Sequence, residues 1–412
     1  MTNPKITLIH PTGNPFARNA AIALWEIDLL QEIITSLAYN PDGNLARILQ
    51  KFFPAGDREL RRRIWIPPQN RFLKTYPREE ILRIALLRTG LNRSLGLNSQ
   101  SLADWVYGSI DRRVARKHLK GLTGVYAYED GAASTFSVAK QEGIKCFYDL
   151  PIVFYRQSQQ IQQEEAELFP DLAASLQSIQ EPAGKLERKE QEVSLADHII
   201  VPSTIVARSL LNAGISKDKI TVIPFGSPHD YFQPQPKQDK QFRALFVGRV
   251  GARKGVHYLL QAWQKLNLHD AELLLVGMNE FGDRYLGQYQ EYFRYIPSVP
   301  HATLNQYYSS ASVFVFPSLV EGLALVLLEA MACGIPIITT ENAGGSDIIT
   351  DGVEGFIIPI RDVEAIQEKL AWCYSHPQEL AEMGKAARQK AEELTWKLYR
   401  DRLSSLVLKV IS

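Results

Sequence analysis

The sequence predicts an α/β protein in two halves, each a parallel sheet flanked by helices. Three observations carry this. Short runs rich in Val, Ile and Phe alternate with helical patterns along the chain, the order that parallel sheets require. The 412 residues suffice for two substantial cores. A polar, proline-rich break, Gln233–Lys237 (QPQPK), separates two stretches of this alternation.

Taken in order, Ile6–His10 reads as a buried strand, Pro11–Pro15 as a turn holding Gly13 and Asn14, Phe16–Leu29 as a helix and Ile33–Leu37 as a strand, a βαβ opening. An Arg-rich insertion of helical character occupies about 47–120. Strands return at Gly124–Tyr128, Lys145–Phe147 and His198–Val201, with helical segments between them that include Ser158–Glu192, and Ile220–Ile223 closes the first sheet. The second half places strands near Phe242, Glu272, Tyr295, Val313, Ile335 and Phe356. The expected division is therefore 1–230, a linker at 231–241, a second domain at 242–395 and a C-terminal helix at 396–412.

The stretch VFVFPSLVEGLALVLLEAMACGIPII carries the most chemistry. Val313–Pro317 reads as a strand, Ser318–Gly322 as a turn and Leu323–Cys333 as a helix stopped by Gly334. Glu321 and Glu329 then lie near the carboxyl end of a strand, where open α/β sheets bind ligands. The plainer alternative makes Glu321 a complement to the helix dipole and Glu329 part of a solvated face. In FRALFVGRVGARKGVHYLLQAWQKL, the strand Phe242–Val247 leads into a loop with Arg249 and Lys254 between Gly248 and Gly255, and a helix follows from Val256. Two cations beside a helix N-terminus suit a diphosphate, although such loops are often simply solvated.

The pairing of G-R-x4-K-G with E-G-x6-E-A, about seventy residues apart in this order, resembles the C-terminal domain of retaining glycosyltransferases of family 4, which have the GT-B fold. The likeness continues through Glu341–Pro359 and Leu195–Phe232, covers most of residues 120–412 and is weaker before them. It implies two Rossmann-like domains facing each other across a cleft, the last helix returning to the first domain, and transfer of a sugar from a nucleotide-diphosphate sugar to a hydroxyl acceptor. Arg249 and Lys254 would stabilise the leaving diphosphate, Glu321 would hold the donor sugar and Glu329 the ribose. Amides of Gly322, Leu323, Ala324 and Leu325 would face sugar and phosphate, main-chain groups near Val299 the base, and Gly248, Gly13 and Asn14 the donor. The family commonly has glycine at the place of Ala324, glutamate at that of Asp347, and a histidine where this chain has Tyr128, Glu129 and Asp130, the expected acceptor side. His10, at a strand end, reads as structural, and the Gly13–Asn14 loop also fits an ordinary turn.

No cofactor and no metal are expected, since no His, Cys and carboxylate cluster has ligand spacing. Cys146, Cys333 and Cys373 are too dispersed for a disulfide framework and read as packing residues. No apolar run reaches about eighteen residues, and no secretory leader is evident, so a cytoplasmic protein is expected. Residues 1–120 hold 19 Lys and Arg against 10 Asp and Glu, a net +9 within a total of +1. There Arg58, Arg61, Arg62, Arg63, Arg71, Lys74, Arg78, Arg83, Arg88 and Arg93 run among Ile64, Trp65, Ile66, Phe72, Leu73, Ile81, Leu82 and Leu86. That mixture suits peripheral contact with an anionic membrane at the inner surface, a polyanionic glycan acceptor, or apolar groups packed inside with solvated arginines. Nucleic acid is not expected, because no binding motif accompanies the charge. The acceptor is a glycan, a lipid-linked molecule or a small molecule. The alternatives to a glycosyltransferase are a catalytically silent GT-B protein that binds a nucleotide or scaffolds glycan assembly, and an epimerase or phosphorylase on the same fold.

Overall fold

The computed structural model describes residues 4–53, 56–57, 60–65 and 69–411, with the backbone alone for Leu45, Arg62, Gln69 and Asn70. Arg58 and Ile66, two members of the expected basic surface, lie outside the described residues.

Strands β1 (Ile6–Ile9), β2 (Leu30–Thr35), β3 (Leu73–Thr75), β4 (Gly124–Tyr128), β5 (Lys145–Asp149), β6 (His198–Val201) and β7 (Ile220–Val222) form a seven-stranded sheet in the order β3-β2-β1-β4-β5-β6-β7. Strands β8 (Phe242–Val247), β9 (Ala271–Val276), β10 (Arg294–Ile296), β11 (Val313–Phe316), β12 (Ile337–Thr340) and β13 (Gly355–Ile358) form a six-stranded sheet in the order β10-β9-β8-β11-β12-β13. Every pairing in both sheets is parallel. Helices cover both faces, so β1, β4, β8 and β11 are almost fully buried, as continuous apolar strands demand. Each sheet winds outward in both directions from its first strand, and the reversals fall between β1 and β4 and between β8 and β11. Crevices at the carboxyl ends of those strand pairs are where this architecture binds ligands.

Several boundaries differ from expectation for local reasons. The first helix is Pro15–Glu26, because the Asn14 side chain caps it by accepting from the Ala17 N–H (2.9 Å). It stops early where Asp28 turns left-handed (φ 58°), so β2 starts at Leu30. The helix expected over Leu323–Cys333 is Leu325–Ala332. The strand near Ile335 begins at Ile337, after Pro336, which lacks an N–H for the ladder. The insertion is not wholly helical: β3 pairs with β2 at the sheet edge, and three residues are too few to show a period. Within it Arg63 and Trp65 are buried, Arg63 donating to Glu80 (Nε to Oε1, 2.8 Å), so neither belongs to an exposed basic face. All three cysteines are buried and free.

Several contacts join the two domains besides the connecting chain. The C-terminal helix Trp396–Ile411 packs on Pro15–Glu26, with Ser404 Oγ donating to the Ala23 carbonyl (3.1 Å) and Arg400 pairing with Glu26 (3.1 Å). In the segment 341–347, Asp347 accepts from the Thr204 N–H (2.9 Å), an N-terminal amide of the helix Thr204–Asn212. Behind the cleft, Glu165 of the helix Tyr155–Leu168 is fully buried and accepts from three residues of the second domain: His257 (2.6 Å), Tyr258 (3.2 Å) and Arg361 (2.8 Å).

His257 is 0% exposed, and its Nδ1 has no partner. The neutral ring donating through Nε2 therefore leaves one lone pair unused, whereas protonation would bury an unpaired N–H. Burial lowers the His257 pKa below its ordinary value in spite of Glu165. The unfolded chain then binds more protons than the folded one, and His257 favours the fold above the ordinary histidine value of about 6.5 and less as pH falls below it. Urea melts are expected to show stability declining between about pH 6.5 and 5, with a shallower decline in His257→Gln.

Candidate functional site

The crevice of the C-terminal sheet is built by the loops after β8 and β11. After β8, Gly248 donates its N–H to the Val276 carbonyl (2.9 Å), and a single turn, Ala252–Lys254, leads into the helix Val256–Leu266. Lys254 is buried there and its ammonium contacts Glu321 Oε1 directly. The same oxygen accepts from Arg253 (3.1 Å) and Ser318 (3.1 Å), and Arg253 also donates to the Val320 carbonyl (2.8 Å). Burial pushes the Lys254 ammonium down, Arg253 and Arg249 add to that, and Glu280 opposes it. Neither Lys254 nor Glu321 is thus a solvated loop charge. Arg249 is different: its side chain is 50% exposed and pairs with Glu280 (2.5 Å). Arg253 was missed in the sequence, where nothing separates it from Arg249; only the fold turns it toward Glu321.

Glu329 lies inside the helix Leu325–Ala332 and is 6% exposed, which removes the solvated-face alternative. Its carboxylate faces His301 Nε2 (2.8 Å) on one oxygen and accepts from the Tyr308 hydroxyl (2.8 Å) on the other. The hydrogen bond to Glu329 raises the His301 pKa. Val299 is half-buried on the connection that runs from β10 to His301.

Of the four amides expected to face a donor, that of Ala324 is already committed to the Ala343 carbonyl (3.2 Å), which corrects its assignment. Gly322 and Leu323 precede the helix, and Leu325 opens it. Gly322 forms an antiparallel bridge with Ile152 of the first domain, Val153 N–H donates to the Glu321 carbonyl (3.1 Å), and Ser203 Oγ donates to the Gly322 carbonyl (2.7 Å). A Cβ at Gly322 would fall 1.8 Å from the Pro151 carbonyl oxygen, so the approach of the two domains requires glycine here.

The crevice of the N-terminal sheet lies at the ends of β1 and β4. It holds a cavity of about 280 Å³ whose walls include His10, Asn14, Tyr128, Glu129, Asp130 and Pro151. His10 is buried, accepts from the Thr12 N–H (3.0 Å at Nδ1), and meets the Tyr128 ring edge-on (4.6 Å between centroids). Burial lowers its pKa to about 3, so it stays neutral. Tyr128 is 3% exposed, and Glu192 fixes the loop after it by accepting from the Asp130 (3.0 Å) and Ala132 (3.0 Å) amides. This segment is therefore not a solvated loop. Gly13 does not line the cavity but lies against Trp65, whose ring would be 2.9 Å from a Cβ there. The structure thus gives Gly13 a packing role.

The comparisons with known proteins agree with this architecture. Residues 229–390 match the family model described as Glycosyl transferases group 1. The chain is 28% identical over 247 residues to D-inositol 3-phosphate glycosyltransferase of Kribbella flavida, covering 53% of this chain and 58% of that one. It spans about half the length of the curated relatives it matches. Among solved structures it is similar to sucrose-phosphate synthase from Thermosynechococcus elongatus (TM-score 0.66, 20% identity, 99% of both chains). It is also similar to Anabaena Alr3699/HepE in complex with UDP (TM-score 0.64, 14% identity, 98% of this chain and 100% of that one). The fold is GT-B, two α/β domains of Rossmann type. The likeness to group 1 glycosyl transferases thus lies in residues 229–390, within a chain whose fold is GT-B.

Because the Pro151 carbonyl occupies the space a side chain would need, Gly322→Ala is expected to destabilise the protein by about 1–3 kcal/mol, the usual cost of overpacking. Urea melts read that loss. Small-angle scattering is expected to show a larger radius of gyration as the domains part.

Proposed function

We propose that the protein is a retaining, metal-independent glycosyltransferase that moves a sugar from a nucleotide-diphosphate sugar to a hydroxyl acceptor. The observation that carries the reading is the convergence of Arg253 and Lys254 on Glu321 at the reversal of the C-terminal sheet, in a chain whose residues 229–390 match the group 1 glycosyl transferases. Departure of a nucleoside diphosphate builds negative charge on phosphate oxygens, and buried, preoriented cations stabilise that charge best. Lys254 is held in place by Glu321, and Arg249, pivoting on Glu280, sits beside it as a second, more mobile cation. These cations supply the charge that a metal ion would otherwise bring. The UDP complex of the Anabaena neighbour supports a nucleotide donor.

In this mechanism the bond from the anomeric carbon to the diphosphate oxygen breaks, and the acceptor oxygen bonds to the same face of the sugar. The acceptor proton passes to the departing phosphate oxygen, so no protein nucleophile is needed. Glu321 orients the donor sugar hydroxyls; Glu329 binds the ribose once the exposed His301 yields its place. The base lies against the main chain near Val299, with Gly248, Leu323 and Leu325 lining the donor and Asn14 approaching it from the first domain. Tyr128, Glu129 and Asp130 form the acceptor side.

Lys254→Ala is expected to lower turnover by about 10²–10³, the scale of one preorganised electrostatic group, and Arg249→Ala to lower it as well. Nucleoside diphosphate release across a panel of UDP-, GDP- and ADP-sugars measures this. Unchanged turnover in both variants overturns the leaving-group assignment, and nucleotide binding without turnover in the wild type marks a silent binder. Calorimetry with the free nucleotide separates the carboxylates: Glu329→Ala is expected to weaken binding, and Glu321→Ala to spare it while abolishing transfer.

The insertion supports peripheral contact with an anionic membrane surface, which fits a lipid-linked acceptor and a place at the inner face. Ile48, Phe52, Phe53, Ile81, Leu82, Leu91 and Leu95 are all about half or more exposed, interleaved with exposed Arg47, Lys51, Arg78 and Arg93. On the helix Arg78–Thr89 the exposed Arg78, Ile81 and Leu82 share one face. No helix among the described residues is long and apolar enough to cross a membrane. Interfacial docking would come from apolar insertion plus about 1 kcal/mol per basic residue near the surface. Co-flotation with anionic but not neutral liposomes, lost at high salt, is the expected outcome.

A further inference from the structure

We propose that the cavity at the reversal of the N-terminal sheet admits an uncharged, hydroxyl-rich acceptor and rejects one that carries a phosphate or carboxylate. This rests on the glycosyltransferase reading and adds the acceptor's chemical class to it. The cavity is closed on one side by the helix Ser99–Lys117, which contributes Asp104 and Tyr107, and on another by the helix Ala183–Leu195, which contributes Lys185. Pro151 lines it too, and the Pro151 carbonyl is the group against which Gly322 packs. An occupant therefore lies beside the turn that carries Glu321. At about 280 Å³ the cavity is just below the range of about 300–1,000 Å³ typical of small-molecule sites. That is room for one small polyol unit.

The charges around it decide what the unit can be. Lys185 is the one cation in the cavity wall. Its ammonium has three N–H donors, and three carboxylates surround it: Asp104 (3.0 Å), Asp130 (3.0 Å) and Glu181 (3.1 Å). Burial would lower Lys185, but these carboxylates more than offset that and hold its proton firmly. The next cations outward are engaged as well, Arg188 with Asp130 (3.2 Å) and Lys189 with Glu129 (3.3 Å) and Glu181 (3.0 Å). With Glu192 under the loop, five carboxyl groups stand against three cations in one connected network. Burial pushes Glu129 up to about 7 and Glu192 up to about 8, so the network sheds its excess of negative charge by holding protons there.

A phosphate entering here would find no cation in the cavity wall to pair with unless an ion pair broke, and would stand against Asp104 and Asp130. Burying an anion without a partner is strongly unfavourable. Hydroxyl groups face no such barrier, because each carboxylate oxygen has lone pairs to accept from them. The wall thus selects by repulsion as well as by attraction. Partial burial of these carboxylates limits the screening of the selection by salt.

The test takes the full chain and matched probes, methyl α-glucoside against glucose 6-phosphate and myo-inositol against myo-inositol phosphate. Donor binding is measured first, by calorimetry with the panel of nucleotide sugars; its absence overturns the glycosyltransferase reading itself. With a donor bound, saturation-transfer NMR and acceptor-stimulated release of nucleoside diphosphate are expected to favour an uncharged probe over its phosphorylated partner by at least about tenfold. Asp104→Asn is expected to shrink that ratio to roughly threefold or less, and the isosteric Glu129→Gln serves as the second variant should the first fail to fold. The proposal is overturned if the phosphorylated probe binds as well or better, if neither member of any pair binds while the donor does, or if both variants fold and leave the ratio unchanged.

Discussion

The turn that follows β11 is pressed between the two domains, and its backbone is bonded from both sides. The Glu321 N–H donates to the Asn342 carbonyl (3.1 Å) within the second domain, and its carbonyl accepts from the Val153 N–H (3.1 Å) of the first. The next residue accepts from Ser203 and touches the Pro151 carbonyl, an approach only glycine permits. Most of the candidate site follows from this contact. The carboxylate of Glu321 is aimed by a peptide unit that neither domain alone controls, and the same Pro151 that receives Gly322 forms part of the N-terminal cavity. The two crevices therefore share a wall, formed where Gly322 meets Pro151.

A second consequence is electrostatic. The C-terminal crevice gathers cations around one carboxylate, Arg253 and Lys254 about Glu321, whereas the N-terminal cavity gathers carboxylates around one cation, Lys185. Each is buried, so each field acts in a medium of low effective dielectric and over short distance. The two faces of the cleft therefore differ in the sign of the charge they gather. The formal balance of the chain, +1 overall, conceals this contrast.

The loop after β8 is also gripped from behind. Leu172 and Leu176 of the first domain pack with Ala252, in the middle of the loop that carries Arg249, Arg253 and Lys254, and Phe281 and Tyr285 lean on the same cluster. A few residues on, His257 and Tyr258 are held by Glu165. Loops with few such contacts move readily; this one is anchored on the side away from the cleft. The backbone that carries Arg253 and Lys254 is thus held from both sides.

The sequence by itself determined the alternation of strand and helix, hence two parallel sheets, and it placed Lys254, Glu321 and Glu329 at the ends of the right strands. Those features are local: a run of buried β-branched residues, a glycine at a turn and a helical period are written within a dozen residues. Tertiary structure decided which neighbouring charge turns inward. Nothing in GRVGARKG separates the exposed Arg249 from Arg253, whose inward turn depends on the Val320 carbonyl 67 positions away. The partners of Glu329, His301 and Tyr308, come from a separate segment, and the carboxylate-lined cavity joins residues of β4 with two helices far apart in the chain. The three-residue β3 and the burial of Arg63 and Trp65 were illegible for the same reason: long-range packing, not local propensity, fixes them. Pairing energies between distant groups exist only once the chain has brought them into contact, so the identity of a charged residue is visible in the sequence, and its partner is not.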